Sequence, residues 1–113
     1  MNKDNNLTIK EVFELAVKNH SKNNLDLAKE LYTKILEVNP NHFQSLNNLG
    51  VIFKKLKGFD DAISYFEKAI LINPNYVDAH NNLGILSEEL KKFQKARKHF
   101  EKVITVDPKN IYV

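Results

Sequence analysis

The chain has 113 residues and no cysteine, with 42% apolar and 27% charged residues and a formal net charge of +3. Without cysteine it can form neither a disulfide nor a thiolate metal site, and no apolar run reaches the roughly 20 residues that a membrane-spanning helix needs. These totals favour one water-soluble domain. We expect a cytoplasmic location, because no apolar segment follows the first lysine as it would in a secretory signal.

Taken in chain order, the sequence predicts six helices after a polar leader at residues 1–8. Thr8 followed by Glu11 is typical of a capping box and opens the first helix. Asn41 and Asp60 are expected to cap the third and fourth helices, and Gly58 is expected to end the third helix in the left-handed conformation. The predicted helices span residues 9–20, 25–38, 43–56, 61–72, 77–90 and 94–106.

One pattern recurs every 34 residues along the chain. In each copy, a small residue in the first helix is followed by an alanine, an aromatic residue and a proline. Small residues at fixed positions indicate that a bulky ring from the second helix passes close to the first. The matching columns are Ala16, Gly50 and Gly84; Ala28, Ala62 and Ala96; Tyr32, Phe66 and Phe100; and Pro40, Pro74 and Pro108.

These columns resemble the tetratricopeptide repeat, and the middle copy carries the family pattern at Leu46, Leu49, Gly50, Phe53, Ala62, Phe66 and Pro74. The third copy departs from it at His80 and Ser87, and the first at Ala16 and Asn19. The resemblance covers residues 9–110 as three repeats, 9–42, 43–76 and 77–110, and leaves residues 111–113 as the start of an incomplete further unit.

The resemblance implies an all-α fold, a right-handed α-solenoid of three stacked helix-turn-helix units. In such a fold the first helix of each unit lines a concave groove, which binds peptide segments of other proteins. A single helix pair cannot bury its apolar stripe, so the three units would share one continuous core.

Helical periodicity, together with that architecture, places one face of each first helix in the groove. Asn48 and Asn82 lie one repeat apart, and a carboxamide can pair with both backbone groups of an extended peptide. The pair resembles the asparagine ladder of O-linked N-acetylglucosamine transferases. The alternative is that these asparagines make structural hydrogen bonds. An apolar row along the same face indicates either an interface or burial. The predicted peptide-binding residues are Phe13, Val17, Gln44, Asn48, Val51, Lys55, Asn82 and Ile85.

One subclass of the family binds the C-terminal carboxylate of cytosolic chaperones with a two-carboxylate clamp. That clamp needs lysine and asparagine where this chain has Phe13 and Val17, and lysine and arginine where it has Asp78 and Asn82. Only Asn48 matches. We therefore do not expect this chain to use the clamp.

No residue group in the sequence indicates catalysis. The four histidines form no ligand pair at i, i+4, His80 is expected to be a half-buried core histidine, and the three glycines make no phosphate-binding loop. We therefore expect no enzyme activity, cofactor or metal. A basic run at Lys91, Lys92, Lys95, Arg97 and Lys98 is interpreted as a solvated face, with Phe93 and Phe100 in the core, so we do not expect nucleic-acid binding.

The sequence thus favours a non-enzymatic adaptor that binds an extended peptide segment of a partner protein. The alternatives are a substrate-recruiting segment of a larger enzyme or of a secretion or assembly complex, and a scaffold that self-associates. A homo-oligomer would form through the C-terminal end, because the sequence shows no polar capping helix there.

Overall fold

The computed structural model describes residues 7–109. The first six residues of the polar leader and the predicted start of a further unit at 111–113 therefore lie outside the described residues. Between residues 7 and 109 the chain forms six α-helices and no strand, which confirms the predicted all-α fold. The helices are α1 (Ile9–Ser21), α2 (Leu25–Val38), α3 (Phe43–Lys55), α4 (Phe59–Ile72), α5 (Val77–Glu89) and α6 (Phe93–Val106).

The helices pair into three hairpins, α1 with α2, α3 with α4 and α5 with α6. Neighbouring hairpins stack because α2 also packs on α3 and α4 on α5, and α3 in turn contacts α5. We call α1, α3 and α5 the inner helices and the other three the outer helices. The resulting solenoid is elongated, measuring 53 × 27 × 23 Å.

The second and third hairpins are held by the close approach of a ring to the inner helix. Gly50 of α3 lies under the ring of Phe66, so that a Cβ built at this glycine would be 2.5 Å from Phe66 Cε1. Gly84 of α5 has the same relation to Phe100, again at 2.5 Å. Carbon atoms in contact normally stay about 3.5–4.0 Å apart. Glycine is therefore required at both positions by packing, as the sequence pattern predicted.

The first helix begins as predicted. The backbone N–H of Glu11 donates to Thr8 Oγ1 at 3.1 Å, and the backbone N–H of Thr8 donates to Glu11 Oε1 at 3.0 Å. These reciprocal bonds satisfy two donors that a helix start leaves unpaired. They also lower the pKa of the Glu11 carboxyl, because the Thr8 backbone and hydroxyl bond to its charged form.

The predicted caps of α3 and α4 are wrong. His42, and not Asn41, caps α3, with the backbone N–H of Ser45 donating to His42 Nδ1 at 3.2 Å. Helix α4 begins two residues earlier than predicted, so Asp60 lies inside its first turn and Gly58 is the N-cap residue without a side-chain bond. An acid in the first turn still favours the positive end of the helix dipole.

The predicted left-handed conformation occurs one residue before Gly58. Lys57 has φ 67°, whereas Gly58 has φ −85° and belongs to the next helix. Lys57 N–H donates to the carbonyl of Lys54 and Gly58 N–H to that of Phe53, at 3.0 and 2.8 Å, which is the Schellman arrangement. The same turn follows the other inner helices, at Asn23 with φ 65° and Lys91 with φ 62°.

Phe93 is not in the core, which corrects a further expectation. Its side chain is 62% exposed, whereas Leu25 and Phe59, at the same position of α2 and α4, are half-buried against core clusters. Those clusters include residues of the following hairpin, and within residues 7–109 no hairpin follows α6. Phe100 is half-buried and packs on Gly84.

Candidate peptide-binding surface

The inner helices present one apolar side chain per repeat at equivalent positions. Val17 of α1 and Ile85 of α5 are each 40% exposed, and Val51 of α3 is half-buried against the cluster that contains Phe66. A row of this kind, half open to solvent and three helices long, can bury further apolar surface against a ligand.

Phe13 lies at the edge of the core. It is half-buried, and its ring centroid is 5.9 Å from that of Tyr32 and 5.1 Å from that of His42. The two rings are tilted relative to each other in both contacts, which is a geometry that aromatic pairs prefer. Phe13 therefore helps to join the first hairpin to the start of α3, and only part of its ring can contact a ligand.

The two predicted ladder asparagines belong to a hydrogen-bonded chain across the inner helices. Asn82 Nδ2 donates to Asn47 Oδ1 at 2.9 Å, and Asn47 Nδ2 donates to Asn48 Oδ1 at 3.3 Å. Asn48 Nδ2 then donates to the Tyr32 hydroxyl at 3.2 Å. Each of these bonds uses one of the two N–H donors of a carboxamide. This chain of hydrogen-bonded side chains, the polar chain, thus connects all three repeats. It leaves one N–H donor of Asn48 and one of Asn82 for further hydrogen bonds.

The chain of polar groups ends at His20, whose Nδ1 is 3.3 Å from the Tyr32 hydroxyl. The hydroxyl accepts from Asn48, so its own proton is available for an unprotonated His20 nitrogen. Burial lowers the pKa of His20, with a contribution from the Lys55 charge, and burial raises the pKa of Tyr32. Both shifts favour the neutral forms that this bond needs.

Charged residues line the rim of this surface. Lys54 Nζ lies 3.3 Å from Glu89 Oε1, and Lys55 Nζ donates to Asn23 Oδ1 at 2.7 Å. Lys55 therefore joins α3 to the turn after α1, while Gln44, also a predicted site residue, is half-buried in the first turn of α3. Such exposed pairs contribute little stability but hold the long side chains in place.

A second polar cluster lies between α5 and α6. His80, predicted to be a half-buried core histidine, is 7% exposed and contacts the Pro74 carbonyl through Nε2 at 2.8 Å. Because a carbonyl only accepts, Nε2 carries a proton, and His80 Nδ1 lies 3.1 Å from His99 Nδ1. Burial, with His80 and nearby lysines, lowers the pKa of His99.

The described residues contain no group of three or more His, Asp or Glu side chains that could hold a metal ion. No helix between residues 7 and 109 is long and apolar enough to cross a membrane.

The predicted site omits three members of the polar chain, which are Asn47, Tyr32 and His20. Asn47 is only 4% exposed and accepts the bond from Asn82, so it is the buried link between the second and third repeats. Tyr32 differs from Phe66 and Phe100 in carrying a hydroxyl. That single difference in an otherwise phenylalanine column, opposite an asparagine on the next inner helix, was the available signal.

Comparison with protein families gives matches that cover most of the chain. One model described as "Tetratricopeptide repeat" matches residues 43–76 and 77–110, and a second model of the same description matches residues 13–42. The three matches correspond to the three helical hairpins. No curated protein sequence matches the chain.

Solved structures with the same fold include structures of MamA and a structure of the first TPR of Spaghetti (RPAP3). One MamA structure is 21% identical with a TM-score of 0.81, covering 94% of this chain and 62% of the other. A structure of MamA AMB-1 is 30% identical with a TM-score of 0.76, covering 93% and 57%. The Spaghetti structure, bound to the HSP90 peptide SRMEEVD, is 26% identical with a TM-score of 0.82, covering 88% and 79%. The chain therefore spans about three fifths of each MamA chain.

Proposed function

We propose that this chain, which belongs to the tetratricopeptide-repeat family, is a non-enzymatic adaptor that binds an extended peptide segment along its inner helices. The observation that carries the proposal is the apolar row formed by Val17, Val51 and Ile85, beside the polar chain that contains Asn48 and Asn82. An apolar row gives affinity for side chains, and neighbouring carboxamides suit the peptide backbone.

The charges of the inner helices support a preferred direction for the peptide. The third repeat contributes three exposed acids to this side, Asp78, Glu88 and Glu89, of which Glu89 is paired with Lys54. The second repeat contributes the exposed Lys55. A segment with a basic residue at the third repeat and an acidic residue near the second is therefore the best electrostatic match.

The Spaghetti structure supports peptide binding by a protein of this fold, but we expect this chain to bind a peptide of different sequence. Where the chaperone clamp needs cations, the third repeat has Asp78 and Asn82, and Asp78 is exposed. An acidic C-terminal segment would meet this carboxylate. We expect the SRMEEVD peptide to bind this chain much more weakly than a segment selected for apolar and basic side chains. The proposal includes the cytoplasmic location expected from the sequence. Recruitment of substrates within a larger enzyme or assembly is the alternative function.

A peptide-library screen against the purified chain tests the proposal, followed by affinity measurement on a selected peptide. The test variant is Val17→Ser with Ile85→Ser, because both side chains are exposed and neither takes part in the polar chain. Full burial of one such side chain contributes about 1.5–3 kcal/mol, so partial loss at two positions should weaken binding roughly tenfold or more.

The matched control is Leu71→Ser on the outer helix α4, which removes an apolar side chain that is 82% exposed. It should leave affinity unchanged. If the double variant stays folded and keeps full affinity, or if the control loses affinity equally, the inner surface is not the binding site.

A further inference from the structure

Helix α6 carries an exposed stripe that the inner-surface proposal does not use. Phe93 is 62% and Ile104 46% exposed, and between them lie Arg97 and Glu101, whose side chains are 73% and 65% exposed. The spacing of these four residues places them on one face of the helix. Arg97 Nε is 3.7 Å from Glu101 Oε2. The stripe is thus apolar at both ends and carries opposite charges in the middle.

The other outer helices show what such a stripe does. At the positions of Phe93 and Ile104, one and two repeats earlier, the residues are half-buried and packed against core clusters that include the next inner helix. These residues are Leu25 and Leu36 in α2, and Phe59 and Ile70 in α4. The stripe of α6 is therefore built like a packing surface, and within residues 7–109 no helix covers it.

Head-to-tail stacking of two copies would not suit this surface. The incoming α1 would present Glu11 and Lys18, both exposed in this chain. Moving charges from water into an apolar joint costs several kcal/mol for each ion unless they are paired. At the equivalent positions of the inner helices that do receive a preceding hairpin, the residues are 0% exposed and uncharged: Ser45, Ile52, Ala79 and Leu86.

We propose that the stripe binds the α6 stripe of a second copy, with the two helices antiparallel about a two-fold axis near residue 99. In that arrangement Phe93 of each copy packs on Ile104 of the other, and Arg97 of each copy pairs with Glu101 of the other. The surface is self-complementary, as an interface with two-fold symmetry must be. A parallel pairing would instead place like charges side by side.

The basic run supports the same orientation. Lys91, Lys92 and Lys95 lie at or just before the start of α6, so antiparallel pairing separates the two basic ends by the length of the helix. It also aligns the two helix dipoles favourably, because the positive end of each helix lies beside the negative end of the other. One helix from each copy is a small contact area, and we expect a weak dimer that depends on concentration.

Sedimentation velocity of the 113-residue chain over a wide concentration range tests the proposal. The wild type should show a reversible monomer–dimer equilibrium. Arg97→Glu and Glu101→Arg each bring like charges together twice in the dimer, and should weaken it roughly tenfold or more. The double variant R97E/E101R restores opposite pairs and should dimerise as the wild type does. The matched control is Glu67→Arg, at the position of Glu101 one repeat earlier on α4, which should have no effect.

The apolar ends of the stripe are tested separately. Ile104→Asp should abolish the dimer, whereas Leu71→Asp, at an apolar residue that is 82% exposed on α4, should not. Circular dichroism checks that each variant stays helical. A wild type that remains monomeric at every concentration overturns the proposal. So does a dimer that is insensitive to I104D, or one that the double charge exchange fails to restore.

Discussion

The contact between Gly50 and Phe66 gives the most direct test of how the hairpins are held together. In Gly50→Ala, the added Cβ would lie 2.5, 2.6 and 2.9 Å from three carbons of the Phe66 ring. The ring is 0% exposed, and both residues belong to helices, so neither group can move away without disturbing its neighbours.

Two opposing effects set the size of the change. Alanine is favoured over glycine in a helix interior by about 1 kcal/mol, which alone would stabilise the protein. Adding a methyl group to a packed core typically costs about 1–3 kcal/mol, and three contacts under 3.0 Å place this site at the upper end. We expect a net loss of about 1–2 kcal/mol in the free energy of unfolding, which lowers the Tm by about 4 °C per kcal/mol.

Urea unfolding followed by circular dichroism measures the change, and a double-mutant cycle assigns its cause. In a Phe66→Leu background the obstructing ring is absent, so Gly50→Ala should cost much less there or become stabilising. Ala16 shows that the first hairpin does accept a methyl group at this position, where Ala16 is 0% exposed in the core cluster that contains Tyr32. If G50A is as stable as the wild type or more so, close approach is not what selects glycine here.

Three further changes have defined expectations. Lys57→Gly should stabilise the chain by about 0.5–1 kcal/mol. A left-handed residue other than glycine costs about 1–2 kcal/mol, and the greater conformational freedom of glycine in the unfolded chain cancels only part of the gain from removing that cost. Asn47→Ala should lower stability by about 1–3 kcal/mol, because it removes two hydrogen bonds that each contribute about 0.5–1.5 kcal/mol. Acid should destabilise the fold: the pKa of His99 is lower in the folded chain, so unfolding takes up protons as the pH drops from about 6.5 through the folded value. His99→Gln should reduce this loss.

Denaturant unfolding at neutral and mildly acidic pH checks all three. Burial also lowers the pKa of His20 and His42, so part of the pH dependence should persist in His99→Gln. Equal acid sensitivity in that variant and the wild type would contradict the assignment to His99. A destabilised Lys57→Gly variant would show that the lysine side chain contributes more than the backbone conformation costs. An Asn47→Ala variant as stable as the wild type would show that the polar chain does not contribute to the stability of the fold.

The order and limits of the helices follow from the sequence because they depend on local and periodic signals. The capping box at Thr8 and the apolar spacing of each helix predict the elements to within about two residues, which is the usual disagreement at helix ends. The 34-residue period predicts the ring-on-glycine contacts as well, since the same pair recurs at Gly50 and Gly84.

The errors had two causes, which were competition between neighbouring residues for one role and the arrangement of the hairpins. Gly58 is the residue most suited to positive φ, yet the Schellman turn needs that conformation at Lys57, and Gly58 then begins α4. Phe93 has the same character as Leu25 and Phe59, and only the arrangement of hairpins distinguishes its exposure from theirs. The predicted peptide-binding residues stay a prediction. The bonds of Asn47 and Tyr32 could not be predicted, because they depend on distances between helices that sequence periodicity does not contain.

The three turns within the hairpins also bear on how such a chain can vary in length. Each turn has only the residues needed to close its Schellman arrangement, so an added residue would disrupt the hydrogen bonds of that turn. One residue inserted within α4 would rotate everything beyond it by about 100° and shift it by about 1.5 Å, which would move Phe66 away from Gly50. We therefore expect insertions and deletions to be tolerated chiefly as whole units of 34 residues, since only a complete unit restores every ring to its glycine.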